Sequence, residues 1–387
     1  MTDWKAKLST SLIQTINDIP ETQWNRIFDD NFIESYGYHK TIEESNLKEF
    51  AIFYLTVKRG ENIVAIAPFF IMDFSLTTLI RGWLQKFIFN LQKIFKRFLK
   101  MRILFVGLPT AEHLYLGISK EENYEEILDL IIKEIHEFQK RNKINTLLFY
   151  NLTDKHRGLK GYLTKKEFLG MENFPNSLMD INVGSVEEYI KSLGSSTRKD
   201  LRRKIRKSES LTTLETEIID NVNGCVDDIY RLYTNSFNDS NVRFEVLTPE
   251  LFLNICRNMP GIAKYFITRE NGKMIAFNLC FIKGDTCIDK IIGLDYAYAH
   301  KYHLYYTTFL HNIGWCIKNG IRYYQPGQGD YDAKIRLGAE LLPLYIYVKT
   351  FNPILNFFMK LIITLVEPKQ FDPVLRNISK YRKVSAG

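Results

Sequence analysis

The chain lacks most of the features that would assign it a chemistry at sight. Its five cysteines, Cys225, Cys256, Cys280, Cys287 and Cys316, include no Cys-x-x-Cys pair. That argues against a disulfide framework or a structural zinc site and fits a reducing cytosol. No window of about 18 apolar residues runs free of charge, and the opening MTDWKAKLSTSLIQTI has no uninterrupted apolar core of a signal peptide. His-Glu-x-x-His, a Walker loop, Gly-x-Ser-x-Gly and the Rossmann fingerprint are all missing, which weighs against metalloprotease, P-loop, α/β-hydrolase and nicotinamide chemistry. Two local absences matter as much: Arg81 to Arg102 contains no acidic residue, and Tyr296 to Tyr306 contains no glycine.

What is present is a repeat. Residues 54 to 71 (YLTVKRGENIVAIAPFFI) and 265 to 282 (YFITRENGKMIAFNLCFI) align without a gap, matching Tyr54 to Tyr265, Ala65 to Ala276, Phe70 to Phe281 and Ile71 to Ile282. Each reads as a hairpin, two apolar runs joined by a charged turn with Gly60 or Asn271-Gly272. Downstream of the first, Ile127, Leu130, Ile131, Ile135 and Phe138 keep helical spacing up to Lys143, before the strand 144–150; downstream of the second, a helix around Phe309 to Ile317 ends at Asn319-Gly320 before the strand 321–325. The order hairpin, helix, strand thus occurs twice in 387 residues, a length that suits two domains of about 150 residues. The expected fold is α/β (α+β), two similar units of mixed sheet flanked by helices. The expected boundaries are 1–175, with a basic insertion at 79–104, then 176–350 with the active site, then a helical tail at 351–387.

The +8 net charge is concentrated in two places. Leu84, Phe87, Leu91, Ile94, Phe98 and Met101 share one side of a helical pattern, with Lys86, Lys93, Lys96, Arg97 and Lys100 mostly on the other. Two readings stay open, a core helix with a solvated face or a helix lying in the headgroup layer of an anionic membrane. The apolar run Ile354 to Val366 is too short to cross a bilayer and reads as a closing helix. The second cluster, SSTRKDLRRKIRK, holds Arg198, Lys199, Arg202, Arg203, Lys204, Arg206 and Lys207, with Ser195, Ser196 or Thr197 as candidate helix cap. It reads either as an exposed linker helix or as an anion site for a pyrophosphate, a tRNA backbone or lipid headgroups.

Titratable groups gather between Lys290 and Arg336. Asp295, Tyr296, Tyr298, His300, His303, Tyr305 and Tyr306 sit at a strand-to-helix junction. The strand ending at Gln325 opens into Pro326-Gly327-Gln328-Gly329-Asp330, with Lys334 and Arg336 behind. The glycines permit a tight turn with exposed amides beyond a strand's carboxyl end, where α/β folds bind ligands.

These segments, INDIPETQWNRIF, IVAIAPFFI, SSTRKDLRRKIRK and LYYTTFLHNIGWCIKNGIRYYQPGQGDYDAKIRLGAELLP, resemble the FemAB-like branch of the GNAT acyltransferase superfamily, which includes BioF2-like and CelD-like acetyltransferases. The resemblance runs from about Ile16 to Tyr347 and implies two GNAT-like units in tandem. It implies transfer of an acyl or aminoacyl group from acyl-CoA or aminoacyl-tRNA to an amine of a small molecule or a lipid-linked envelope precursor. One departure stands out: the glycine-rich turn that cradles the CoA pyrophosphate in ordinary GNAT enzymes is absent from Tyr296 to Tyr306. The implied chemistry is attack of an amine on an ester or thioester. Asp295, His303 or Asp330 are candidate proton acceptors, and Tyr305, Tyr306 or an amide near Gly327 candidate donors to the oxyanion or leaving group. Arg198, Lys199, Arg202, Gly327, Gln328, Gly329, Lys334 and Arg336 are candidates for binding donor or substrate. No metal and no DNA are expected. Acyl-CoA is the favoured donor, with tRNA or a non-catalytic membrane-peripheral binding role as alternatives, and the expected location is the cytoplasm, at the inner face of the membrane if the basic helix binds it.

Overall fold

A computed structural model of the protein describes residues 6–28, 33, 35–75, 100–239, 246–352, 356, 359–360 and 367–377. Backbone packing divides the chain into a first unit of Met1–Glu43, Leu47–Phe174 and Pro343–Arg376, and a second built on Glu44–Asn46 and Pro175–Leu342.

The first unit opens with β1 (Leu8–Ile13), α1 (Glu21–Ile27), α2 (Tyr36–Glu44) and the hairpin of β2 (Ala51–Arg59) and β3 (Asn62–Ser75), followed by β4 (Lys100–Val106) and the short β5 (Gly117–Ile118). Then come α3 (Tyr124–Asn142), β6 (Thr146–Leu152) and α4 (Arg157–Lys165). The order across its sheet is β1-β2-β3-β4-β6, with β4 and β6 parallel. Helix α3 shows why the periodicity was legible. Asn123 caps its start by accepting from Glu126 N, Glu125 and Glu126 face the positive helix end, and Ile127, Ile131, Ile135 and Phe138 are buried on one stripe. Lys143 then turns left-handed (φ 56°) and stops the helix.

The strand β7 (Leu169–Asp180) leads into the second unit, which comprises α5 (Val186–Ser192), α6 (Ser195–Leu211), β8 (Glu215–Ile219), α7 (Val226–Asp239) and α8 (Pro249–Asn258). It continues with β9 (Ala263–Glu270), β10 (Lys273–Lys283), β11 (Thr286–Leu294), α9 (Tyr296–Tyr302), α10 (Leu304–Lys318), β12 (Tyr323–Gln325) and α11 (Tyr331–Arg336). Its sheet runs β7-β12-β11-β10-β9-β8, with β11 and β12 parallel. At Gly293 a Cβ would lie 2.1 Å from the Phe277 ring and 2.9 Å from the backbone of Leu232 on α7. Gly293→Ala is therefore expected to destabilise the protein by about 1–3 kcal/mol, read as a lower denaturation midpoint in urea.

The duplicated hairpins carry the same irregularity. Val57 pairs with Ala65 and Lys58 with Ile63, which leaves Val64 as a bulge; Thr268 pairs with Ala276 and Arg269 with Met274, which leaves Ile275. Val64 and Ile275 are equivalent in the ungapped alignment, so the bulge falls at the same position of both hairpins. The turns hold Gly60 at φ 61° in one and Asn271 and Gly272 at 48° and 77° in the other.

Several expectations need correction. Residues 343–350 were expected in the second unit, but β13 (Glu340–Thr350) pairs antiparallel with β6 and its last eight residues count with the first, since β6 otherwise has an open edge. The basic helix expected over Arg81–Arg102 cannot extend to its end. Lys100–Val106 is the strand β4, with Arg102 opposite Asp73 and bonded to it at 2.9 Å, because β3 outruns β2 and needs a partner. Residues 76–99, and most of the closing helix at Ile354–Val366, lie outside the described residues; of the tail, Pro368–Phe371 and Pro373–Arg376 are short helices. Helix α6 is no linker. It packs on α9 and α10 within the second unit and buries Leu201 and Ser208. Its N-cap is Gly194, and no serine or threonine side chain caps it. Among the described residues no helix is long and apolar enough to cross a membrane.

Candidate functional site

The registers of the two units coincide beyond the hairpins. β3 meets β4 with Phe69↔Val106 and Ile71↔Leu104, as β10 meets β11 with Cys280↔Asp289 and Ile282↔Cys287. β4 meets β6 with Ile103↔Thr146 and Leu104↔Leu147, as β11 meets β12 with Thr286↔Tyr323 and Cys287↔Tyr324. The helix exits match as well: Ile144 N bonds Gln139 O, and Ile321 N bonds Cys316 O. Position by position, Ala67 corresponds to Asn278, Val106 to Asp289, Ile135 to Asn312 and Leu147 to Tyr324.

In the first unit these four positions belong to one hydrophobic core, each at most 1% exposed. In the second they are an amide, a carboxylate, an amide and a phenol. The fold needs no polarity there, and burying it costs stability. A polar set kept against that cost makes the second unit the candidate for the functional site.

The set is mutually bonded. Asn278 Nδ2 donates to both oxygens of Asp289 at 3.0 and 2.8 Å, Tyr324 OH donates to Asp289 Oδ2 at 2.6 Å, and Asn312 Nδ2 donates to Tyr324 OH at 3.2 Å. It lies at a fork. The last pair between β11 and β12 is Ile288↔Gln325; from Asp289 onward β11 has no β12 partner, and the chain turns away through Pro326-Gly327. Gly327, at φ 74°, passes so near that a Cβ on it would lie 3.7 Å from Asp289 O. Ser177 Oγ fastens the turn by donating to Gly327 O at 2.5 Å, and Gly329 and Asp330 also have positive φ. Lys334, 6% exposed, donates from Nζ to Gln328 O at 2.8 Å.

Burial raises the pKa of Asp289. The bonds from Tyr324 and Asn278, the charge of Lys334 and the amide of Asn312 oppose that rise without cancelling it. The residue nevertheless keeps partial solvent exposure. A carboxylate with more than ordinary affinity for a proton, set where two strands part, is suited to accept one. Burial likewise raises Tyr305, with further contributions from Asp330, Asp289 and Tyr306.

Of the residues singled out from sequence, Tyr305, Gly327, Gln328, Gly329, Asp330 and Lys334 gather in this neighbourhood. Gln328 and Asp330 are exposed, and Arg336 is exposed and paired with Asp332. Asp295 is engaged elsewhere: it caps α9 by accepting from Ala297 N and holds Arg231 and Lys273 at 3.3 and 3.1 Å. His303, left-handed at φ 51° between α9 and α10, faces α6; burial and the cations Lys207, Lys204 and Arg203 lower its pKa. Tyr306 lies beneath Lys204, whose Nζ is 3.6 Å from the ring centre. Arg198 is tied to Lys191 O and Leu193 O, Arg202 to Glu187, and Lys199 is exposed. Sequence reading passed over Asn278, Asp289, Asn312 and Tyr324. The available signal was an inward polar residue in otherwise apolar strands, Asn278 in IAFNLCFI and Asp289 in CIDKII.

Tandem units of this topology are the GNAT arrangement, and solved structures agree. The chain resembles FemX (TM-score 0.53, 9% identity, 90% of this chain and 99% of that one) and the tandem GNAT protein from the clavulanic acid biosynthesis pathway (0.52, 10%, 90% and 99%). It also resembles the C-terminal domain of a putative lysylphosphatidylglycerol synthetase from Agrobacterium fabrum (0.51, 11%, 89% and 96%). At such identities the likeness is one of fold. No curated protein matches the chain significantly. The family model FemAB-like, described as peptidoglycan biosynthesis/recognition, matches residues 15–346. The chain belongs to the FemAB-like family and is a transferase of the acyl or aminoacyl class.

Proposed function

We propose that the chain transfers an acyl group from an acyl-CoA or related donor to an amine of a small-molecule or cell-envelope precursor, at the fork of β11 and β12. The carrying observation is the bonded set Asn278, Asp289, Asn312 and Tyr324 at positions that the first unit fills with Ala67, Val106, Ile135 and Leu147. The amine must be held about 3 Å from the carbonyl, and the developing oxyanion must meet donors. Tyr305, with its proton held firmly, and the amides around Gly327 supply such donors, while Lys334 places a buried positive charge beside them. The family's peptidoglycan association favours an envelope precursor as acceptor.

A second reading, an aminoacyl-tRNA donor, is favoured by two observations. Where an ordinary GNAT enzyme has its glycine turn, this chain has the helix α9 capped by Asp295. Helix α6 also leaves Lys199, Arg203, Arg206 and Lys207 exposed. FemX and a lysylphosphatidylglycerol synthetase domain share the fold. Calorimetric titration with acetyl-CoA and with charged tRNA decides between them. For a CoA donor the expected result is binding with a shallow salt dependence that is indifferent to α6. Tight tRNA binding that weakens steeply with salt, with a slope flattened in Arg203→Gln/Arg206→Gln, would establish the second reading instead.

A further inference from the structure

An amine attacks a carbonyl only as the free base, so a substrate ammonium must first give up a proton. We propose that Asp289 takes that proton, and that Tyr324 and Asn312 are positioning residues that hold its carboxylate for the task. The assignment rests on the transferase reading above.

Three observations carry it. Asp289 stands where β11 loses its parallel partner, beside the turn at Gly327. Its bonds form a directed chain, Asn312 Nδ2 to Tyr324 OH to Asp289 Oδ2, with Asn278 Nδ2 steadying the other side. That chain has an apolar counterpart at every link in the first unit. Two of the alternative acceptors, Asp295 and His303, are engaged elsewhere. Asp295 already serves two cations and a helix end, and His303 lies under three cations that disfavour a further positive charge. Among the described residues the ionisable groups facing Asp289 are Lys334, Tyr305, Tyr324, Cys280, Cys287 and Cys316; burial raises the Cys280 thiol, and hydrogen bonds between thiols together with burial raise Cys287 and Cys316, so Lys334 is the one charge among them.

The step balances. One N–H proton passes from the ammonium to the Asp289 carboxylate, and the freed nitrogen pair forms the C–N bond. The carbonyl π pair moves to oxygen, the tetrahedral oxyanion collapses to re-form the carbonyl as the C–S or C–O bond breaks, and the leaving thiolate or alkoxide takes the second nitrogen proton. Asp289 then returns its proton to solvent.

The test uses the full chain labelled with carboxyl-¹³C aspartate, with the Asp289 resonance identified by its loss in Asp289→Asn. Tyr324→Phe removes a donor to the ionised carboxylate and is expected to raise the Asp289 titration midpoint by about one pH unit. Asn312→Leu should raise it by less. The acid limb of kcat/KM should move by the same amount in each variant, with the alkaline plateau retained. Midpoints unchanged in both variants would refute the positioning roles. A titration that moves while the acid limb of transfer stays fixed would refute Asp289 as proton acceptor and leave the transferase reading standing. A titration that moves in a protein that transfers to no amine from either donor would refute both.

Discussion

Asp289→Asn should slow transfer by about two to four orders of magnitude, the usual contribution of a positioned proton acceptor, while the folded protein resists urea as well as the parent or better. The two halves of that expectation have one cause. The folded-state pKa of Asp289 is raised, so above that pKa holding the group ionised costs the native protein stability, and that destabilisation fades as pH falls through the raised value. Asparagine keeps the shape, still accepts from Tyr324, and carries no charge to desolvate. Denaturation midpoints and initial rates measured on the same preparation check both. A variant that is inactive and also strongly destabilised would return Asp289 to an architectural role.

The first unit should be selectively sensitive to acid. His39 is wholly buried among Trp24, Tyr54 and Tyr115, with ring centroids 4.6, 5.9 and 5.2 Å away, and neither ring nitrogen has a hydrogen-bond partner among the described residues. Burial lowers its pKa from 6.5 to about 3. Above pH 6.5 folded and unfolded states bind the same number of protons at this site. Below it only the unfolded state gains one, so stability is lost as pH falls from 6.5 toward 3, by about 5 kcal/mol over the whole interval. Urea midpoints of the parent should therefore drop between pH 7 and 4.5 more steeply than those of His39→Leu. Parallel curves would show that other groups govern the acid response instead.

How much of this was legible in the sequence follows from which signals are local. The duplicated hairpins were legible because turn residues and alternating apolar runs lie within a few positions of one another. Helix α3 announced itself by an apolar stripe, an asparagine cap and a left-handed stop. The strand β13 was not assignable, because its pairing with β6 joins residues such as Thr146 and Thr350 that are distant in the chain. Lys100 and Met101 fitted a helical pattern and yet lie in a strand, since an open edge on β3 outweighs a weak periodic preference. At the site, the glycine turn and Lys334 were visible as a motif. The carboxylate beside them was not, because a single Asp in CIDKII reads as an exposed strand position until the register shows which way it faces.

Transfer is expected to occur in the second unit, where β11 and β12 part. A crystal structure of the chain with a non-reactive analogue of whichever donor the titrations select tests it most directly. The analogue's carbonyl is expected beside Asp289, with the turn at Gly327 and Lys334 around it. A carbonyl seated instead in the first unit, at the ends of β4 and β6 by Val106 and Leu147, would contradict it.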